Sequence, residues 1–484
     1  MNITYLPNTN ELISCLEKSP AEFTKFDIIN FVKTRKIEFV NFMYPGGDHK
    51  LKTLNFVINS EDYLNSILTY GERVDGSSLF PYIEAGNSDL YVLPRFRTAF
   101  IDPFAARPTL AMLCSFFDRK GNPLETSSEF TLRKADRIFT EKTGMKFQAM
   151  VELEYYVTGS YEHSGAFAAP DQKGYHESAP YAHFNEFRKE CMAHIARVGG
   201  QIKYGHNEVG NFMFDGKLYE QNEIEFLPAD IAQTADSMLL AQWIIRNLAA
   251  QRGLDITFAP KIATGKAGSG MHVHLRIMKN GVNQFVEDGK LSDTARRAIA
   301  GLIKLAPSIT AFGNMRPSSY ARLVPHQEAP TNVCWGDSNR SVLIRVPLGW
   351  TTCKNMLSEI NPLEDRTQTN AEFKQTVEIR SPDATADIYL LLAGLSTACA
   401  YGLQMPDALE VAQATYVDVN IHREENREKL RMLEKLPTSC HESAEKLNEQ
   451  RAIYQADGIF TPKLIDNIIH QLNTFKEEKT TYAL

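Results

Sequence analysis

Charged and imidazole side chains recur at every second residue in several short apolar segments, and this pattern restricts the fold more than any other feature of the chain. Glu152 and Glu154 alternate with apolar residues in one segment, and His272, His274 and Arg276 do so in another. Side chains two residues apart on a β-strand point to the same face of the sheet. The alternation therefore predicts strands with one apolar face and one face of ionisable groups.

Three further segments repeat this pattern. Glu223 and Glu225 share one face, Glu378 and Arg380 share another, and Arg345 interrupts an apolar run. Any one of these strands is most simply explained by a sheet that is wet on one side. Solvated faces usually mix Lys, Thr and Ser, whereas these faces collect carboxylates, imidazoles and arginines. We therefore expect the strands to belong to one sheet whose polar face lines a cavity.

Six of the side chains predict a centre for divalent cations in that cavity. They are Glu152, Glu154, Glu208, Glu223, Glu378 and His272. Packed carboxylates repel one another, so they need cations between them. Oxygen-rich ligands with one imidazole suit Mg²⁺ or Mn²⁺ better than zinc. Neighbouring arginines indicate an anionic partner, and two metals with arginines indicate phosphoryl transfer; the pattern alone leads no further than that class.

Charge and cysteine content restrict the partners and the compartment. The 484 residues include 52 basic and 59 acidic side chains, a net charge of −7, without a basic tract. We therefore expect neither nucleic acid nor a membrane as partner, since both depend on clustered Lys and Arg. The seven cysteines form no C-x-x-C pair, the N-terminus does not resemble a signal peptide, and the most apolar stretch, Ile388 to Tyr401, is too short for a bilayer. A cytoplasmic location is expected.

Secondary-structure signals change near residue 120. Strand-like patterns predominate before it, for example in Ile37 to Phe56 and Thr109 to Phe117. Helical periodicity follows in segments that are interspersed with the polar-faced strands. These segments are Glu129 to Thr143, Ala182 to Val198, Ala229 to Arg252 and Ser292 to Leu305, with more helices in the C-terminal third. The order predicts a small β-rich domain followed by a large α/β domain.

The motifs, in their order, closely resemble those of the glutamine synthetase family, most of all its type I bacterial members. They include Asp75-Gly-Ser-Ser78, Glu152-Leu-Glu154, Gly205-His-Asn-Glu-Val209, Gly268-Ser-Gly-Met-His-Val-His274, Arg322-Leu-Val-Pro325, Asn339-Arg-Ser341 and Glu378-Ile-Arg-Ser-Pro-Asp383. The resemblance implies an α+β fold: an N-terminal β-grasp domain, residues 1–120, and a catalytic domain, residues 121–484. In the second domain a curved antiparallel sheet forms a half-barrel flanked by helices.

The resemblance also implies two cations in each active site. The cation that anchors glutamate and the acyl phosphate has the ligands Glu154, Glu208 and Glu223. The cation that orients the ATP phosphates has the ligands Glu152, His272 and Glu378.

Further roles follow from the same resemblance. His274 contacts the nucleotide phosphates, Arg322 and Arg380 bind glutamate, and Arg340 and Arg345 stabilise charge on the transferring phosphoryl group, with Arg345 also binding the nucleotide.

The remaining implied roles concern the amino group, the ammonium ion and the flap. Gly268 offers backbone contacts to the amino group of the substrate. Asp75 takes a proton from ammonium, with Ser78 and Tyr175 nearby, and Glu328 lies in a flap that excludes water from the intermediate.

The activity implied is ATP-dependent synthesis of glutamine from glutamate and ammonia through γ-glutamyl phosphate. In this family the N-terminal domain, which carries Asp75, reaches a neighbouring subunit, so each active site is shared between two chains. We therefore expect a homo-oligomer, a dodecamer of two hexamers.

Several residues depart from the family pattern. The segment 210–220 lengthens the connection between Glu208 and Glu223, and its Asp-Gly pair predicts a protruding hairpin. Ala267 replaces an Asn, and Thr376 replaces an Arg near the nucleotide. His326 and Gln327 replace a Gly and a Tyr of the flap.

These departures leave other functions open. Ala267 and the altered flap favour a γ-glutamyl ligase that uses a larger amine, such as a polyamine or ethanolamine. A non-catalytic structural or regulatory homologue is a further alternative, but its mark would be broken metal ligands, and all six positions match. A metal-dependent hydrolase has no need of four arginines and a flap acid.

Overall fold

The computed structural model describes residues 9–160, 167, 171–324, 330–349, 356–364, 371–419, 424–426 and 431–475. The chain divides into two compact units. The first comprises Met1–Thr131, Leu153–Leu227 and Ala232–Phe258, and the second comprises Leu132–Glu152, Pro228–Ile231 and Ala259–Leu484. The domain bounds 1–120 and 121–484, which the sequence analysis gave, stay a prediction; the two structural units have different bounds.

The first unit begins with a six-stranded sheet. Its strands are β1 (Phe39–Pro45), β2 (Leu51–Val57), β3 (Glu72–Asp75), β4 (Asp89–Pro94), β5 (Phe100–Ile101) and β6 (Thr109–Phe117). The order is β2-β1-β6-β4-β3 with β5 beside β6, and β1 and β6 are parallel while the other pairs are antiparallel. The helices that accompany it are α1 (Glu11–Leu16), α2 (Lys25–Thr34), α3 (Glu61–Tyr70) and α4 (Gly76–Leu79).

Helix α2 shows how the local sequence builds this part of the molecule. The Thr24 side chain accepts a hydrogen bond from the Asp27 backbone, and Asp27 reaches back to the Thr24 backbone, a capping box that starts the helix. Ile28, Phe31 and Val32 follow at helical spacing and are buried in the core beneath the sheet. Each such side chain contributes about 1.5–3 kcal/mol of burial free energy.

The rest of the chain adds twelve strands and ten helices among the described residues. The strands are β7 (Lys146–Ser160), β8 (Ile202–Phe214), β9 (Lys217–Phe226), β10 (Ala229–Asp230), β11 (Asp255–Thr257), β12 (Met271–Lys279), β13 (Val282–Asn283), β14 (Val286–Glu287), β15 (Lys290–Leu291), β16 (Trp335–Asp337), β17 (Ile344–Val346) and β18 (Val377–Ile379). The helices are α5 (Ser128–Thr143), α6 (Asn185–Arg197), α7 (Ile231–Arg252), α8 (Asp293–Gly313), α9 (Pro317–Arg322), α10 (Met356–Ile360), α11 (Ile388–Gln404), α12 (Ala408–Ala414), α13 (Cys440–Gln455) and α14 (Pro462–Asn473).

A ten-stranded sheet carries the polar-faced segments. Its order is β16-β17-β18-β12-β7-β9-β8, with β10 and β11 beside β7 and β13 beside β12. Strands β12 and β18, β17 and β18, and β8 and β9 pair antiparallel, whereas β16 and β17 are parallel. The segments that alternate charged and apolar residues therefore do join one sheet, and the predicted α+β class is confirmed.

Helix α11 contains the apolar stretch noted in the sequence and is largely buried. It packs on α8 with little space between the backbones: a Cβ on Gly301 would lie 2.8 Å from the Cα of Gly402. Among the described residues no single helix is long and apolar enough to span a bilayer. Helices α11 and α12 reach that length and apolar composition only together, and they meet at a bend of 110°.

This close approach leads to a stability prediction. Gly301→Ala forces α8 and α11 apart, and we expect it to lower the free energy of unfolding by about 2 kcal/mol through overpacking. The measurement is the midpoint of denaturant-induced unfolding followed by circular dichroism. Gly86→Ala is the matched control, because a Cβ there meets nothing within 4 Å. Equal midpoints for both variants would contradict the role of the glycine contact.

Candidate active site

A row of three side chains crosses β12, β18 and β17. Strand register places His274 opposite Glu378, and Glu378 opposite Arg345. Residues directly opposite each other on neighbouring strands project from the same face of the sheet. His272 and Arg380 lie two residues from members of this row and share the face. An imidazole, a carboxylate and a guanidinium thus stand side by side.

Glu152, on β7, lies between the two imidazoles of β12. His272 Nδ1 is 2.9 Å from one carboxylate oxygen, and His274 Nε2 is 2.7 Å from the other. Burial alone would raise the pKa of Glu152, but the charge of His274 and the hydrogen bonds from both rings hold this pKa well below its ordinary value. Glu152 is therefore an ionised carboxylate in a site that is mostly shielded from water.

Glu378 is the most deeply buried carboxylate of this group, with 1% of its surface exposed. Arg345 Nη1 lies 3.0 Å from one of its oxygens, and Arg380 Nε lies 3.2 Å from the other. His272 Nδ1 is 3.6 Å from the same carboxylate. Arg380 also donates to the backbone carbonyl of Arg340. Charge on Glu378 is thus balanced by two guanidinium groups.

Arg322, at the end of α9, is buried and held by backbone carbonyls. It donates to the carbonyl of Ser381 at 2.8 Å and to that of Arg380 at 3.0 Å, and its Nη2 is 3.5 Å from His272 Nε2. The chain before β12 passes close to this side chain, since a Cβ on Gly268 would meet the Arg322 side chain at 2.9 Å. A glycine at this position leaves room for the guanidinium.

A second group of carboxylates lies in the first unit, around the hairpin of β8 and β9. Glu223 pairs with His206 in the register, and Glu208 lies in the β-bulge between Asn207 and Asn211. The bulge changes the direction of the Glu208 side chain. Its carboxylate accepts a hydrogen bond from the backbone N–H of Val209 at 2.9 Å. The hairpin turn that the Asp-Gly pair predicted is observed between β8 and β9, with positive φ at both turn residues.

Gln221 connects this hairpin to β7. Its amide donates to a carboxylate oxygen of Glu154 at 2.9 Å, and its carbonyl accepts from the backbone of Gly210 at 3.0 Å. All three residues are buried. A neutral amide therefore holds the predicted ligand Glu154 against the bulge that carries Glu208.

His206 is a candidate site residue that the sequence analysis did not single out. Its ring nitrogens lie 3.9 Å from an oxygen of Glu208 and 3.9 Å from an oxygen of Glu223, and burial lowers its pKa. The signal was present, because His206 is two residues before Glu208, but the bulge made a strand-face argument unreliable there.

Two sets of three residues bring ligand atoms within 4.8 Å of one another among the described residues. One set is Glu152, His274 and Glu378, and the other is His206, Glu223 and Glu225. These sets overlap the predicted ligand sets without reproducing them. Their carboxylate-rich chemistry with an imidazole suits hard divalent cations. The predicted assignment of six ligands to two cations stays a prediction.

Asp75 and Ser78 are exposed residues of the N-terminal sheet region. Asp75 caps α4 and accepts from the hydroxyls of Ser77 at 2.7 Å and Ser78 at 2.6 Å. Hydrogen bonds from Ser78, Ser77 and Ser88 hold the pKa of Asp75 well below its ordinary value. The exposed carboxylate is consequently ionised at neutral pH.

Tyr175 is half-exposed and belongs to a ring cluster beside Glu208. Its ring stacks on His176 at 4.2 Å and meets His206 edge-on at 5.5 Å. The predicted flap acid Glu328 and the departures His326 and Gln327 lie outside the described residues.

Comparison with known proteins agrees with this architecture. Residues 36–119 match the family model of the glutamine synthetase beta-Grasp domain, and residues 130–477 match that of the glutamine synthetase catalytic domain. A glutamine synthetase of Methanococcus maripaludis is 31% identical over 330 residues, covering 66% of this chain and 72% of that protein. The glutamine synthetase of Mycolicibacterium smegmatis is 29% identical and covers 93% of this chain and 94% of its own.

Solved structures share the fold. The cryo-EM structure of Plasmodium falciparum glutamine synthetase has a TM-score of 0.77 at 17% identity, covering 93% of this chain and 95% of that one. A ligand-free structure of GmaS has a TM-score of 0.74 at 18% identity, covering 94% and 97%. The predicted β-grasp domain and curved half-barrel sheet are thereby confirmed. On the evidence of both family models, the chain belongs to the glutamine synthetase family.

Proposed function

We propose that this chain joins ammonia to the side-chain carboxylate of glutamate, with ATP as phosphoryl donor and γ-glutamyl phosphate as intermediate. The observation that carries the proposal is the row of imidazole, carboxylate and guanidinium across β12, β18 and β17. Such a row offers ligands for a cation beside a group that binds anions, as phosphoryl transfer requires. Membership of the glutamine synthetase family supports the same activity.

The carboxylates and imidazoles fit a pair of hard divalent cations, and we propose two Mg²⁺ or Mn²⁺ ions per active site. The proposed ligands of the first are Glu154, Glu208 and Glu223. The proposed ligands of the second are Glu152, His272 and Glu378. When bound, the ions neutralise charge on the phosphates and on the substrate carboxylate.

The arginines bind the anionic groups of ATP and glutamate. Arg345, held by Glu378 at 3.0 Å, stabilises charge on the transferring phosphoryl group and contacts the nucleotide, and Arg340 assists it. Arg322 and Arg380 bind the glutamate substrate. Arg322 is already fixed by two backbone carbonyls, so its orientation costs little entropy when the substrate arrives.

The second half of the reaction requires ammonia and the exclusion of water. The ionised Asp75 attracts an ammonium cation and takes its proton, with Ser78 and Tyr175 nearby; the ammonia that results attacks the acyl carbon and displaces inorganic phosphate. Gly268 presents backbone groups to the amino group of glutamate. Glu328 acts from the flap, which keeps water from the acyl phosphate.

We also propose that the protein is a homo-oligomer, a dodecamer of two hexamers, and that Asp75 serves the site of a neighbouring subunit. Its exposure and its local partners Ser77 and Ser78 support this, because the carboxylate faces solvent within its own chain. A cytoplasmic location agrees with the free thiols of all six described cysteines.

A comparison of nitrogen donors tests the activity. We expect phosphate release that depends on both ATP and glutamate, with a kcat/KM for ammonium at least about tenfold above that for methylamine, ethanolamine or putrescine, because each added methylene must be accommodated. The measurement is coupled phosphate release, with the amide product identified by mass spectrometry. A preference for a larger amine would make the chain a γ-glutamyl ligase of that amine, and no release with any donor would reject catalysis.

Mixed oligomers test the shared site. Asp75→Ala and Glu378→Gln should each abolish activity, and random mixing of the two subunits should restore about a quarter of the wild-type activity, because a quarter of the interfaces then combine two intact halves. The control mixture is Arg345→Gln with Glu378→Gln, two residues in contact within one chain. Equal recovery in both mixtures, or none in the first, would contradict a site shared in this way.

A further inference from the structure

Thr376 stands next to the row of charged residues but belongs to none of the sets described above. It immediately precedes β18, and only 6% of its surface is exposed. Its hydroxyl lies 2.9 Å from Nδ1 of His274, which is equally buried. The other ring nitrogen of His274 is 2.7 Å from Glu152. A chain of hydrogen bonds therefore runs from Thr376 through His274 to Glu152.

The chemistry of the three groups assigns donors and acceptors along this chain. The ionised carboxylate of Glu152 only accepts, so Nε2 of His274 must carry a proton. In the neutral imidazole Nδ1 is then an acceptor, and the hydroxyl of Thr376 is the group that donates to it. In an imidazolium the same hydroxyl accepts from Nδ1 instead. A hydroxyl satisfies the buried Nδ1 in both states.

The family resemblance predicts an arginine at position 376, and an arginine differs from threonine in hydrogen bonding and in charge. A guanidinium only donates and always carries a positive charge. Thr376 replaces it with a neutral group whose hydroxyl serves the ring of His274. In this chain the side chain at position 376 therefore serves a site residue, His274.

We propose that Thr376 is a positioning residue that fixes the ring orientation of His274 and so keeps its Nε2 directed at the carboxylate of Glu152. This inference rests on the proposed function, because Glu152 is a proposed ligand of the cation that orients ATP. Outer groups that orient a ligand typically change metal affinity or activity by about 10–100-fold when removed.

The test compares two substitutions of Thr376 by titration calorimetry with Mn²⁺ alone. Thr376→Val keeps the shape and removes the hydroxyl, and we expect it to weaken the affinity of one Mn²⁺ site by about tenfold. Thr376→Ser retains the hydroxyl and should keep the affinity within about twofold of the wild type. In steady-state assays, Thr376→Val should raise the KM for ATP more than the KM for glutamate.

Thr397→Val is the matched control. Thr397 is likewise 6% exposed, and its hydroxyl donates to the backbone carbonyl of Ala393 at 2.8 Å, within α11. Its loss should leave Mn²⁺ affinity unchanged. The proposal is overturned if Thr376→Val binds Mn²⁺ like the wild type, if Thr376→Ser is as weak as Thr376→Val, or if Thr397→Val shows the same loss.

The calorimetric result also separates this inference from the proposed activity. If wild-type protein releases no phosphate with any nitrogen donor, the proposed function fails, while a selective loss of Mn²⁺ affinity in Thr376→Val still supports the positioning role. If the wild type is active and the three threonine variants bind Mn²⁺ equally, the positioning role fails alone.

Discussion

Repulsion between carboxylates governs the polar face of the large sheet. An ionised Glu that is removed from water needs a cation or a hydrogen-bond donor close by. A cluster of buried glutamates therefore needs several such partners. The chain supplies two kinds of partner. Imidazoles on β12 face Glu152, and guanidinium groups on β17 and after β18 face Glu378. Each acid thus has compensating groups close by, and His272 lies near both acids.

Sheet geometry makes this compensation possible with short stretches of sequence. The register sets His274, Glu378 and Arg345 side by side, although more than 100 residues separate the first from the second along the chain. The regular pairing of β8 with β9 is interrupted by a register shift between Asn207 and Asn211. Glu208 lies in a bulge, and Gln221 fastens that bulge to Glu154.

Much of this was accessible from the sequence, because a strand face follows from a period of two. That rule identified Glu152, Glu154, His272, His274 and Glu378 as side chains of strand faces, and the order of the motifs pointed to the family.

The same rule has limits. It says nothing about which imidazole meets which carboxylate, so the contact of His274 with Glu152 was not anticipated. It also fails at a bulge, which is why His206 was missed. Asp75 illustrates a third limit, since its proposed role depends on a surface of another chain.

Strand β7 fixes the backbone spacing of two predicted cation ligands by covalent means. Glu152 and Glu154 are two residues apart on it, and a strand advances about 3.3 Å per residue, so their backbone attachment points are about 6.6 Å apart. That interval cannot stretch or shrink by mutation of side chains, and an inserted residue would turn one acid to the opposite face. Changes in the β8–β9 hairpin therefore leave the backbone spacing of these two acids on β7 unchanged.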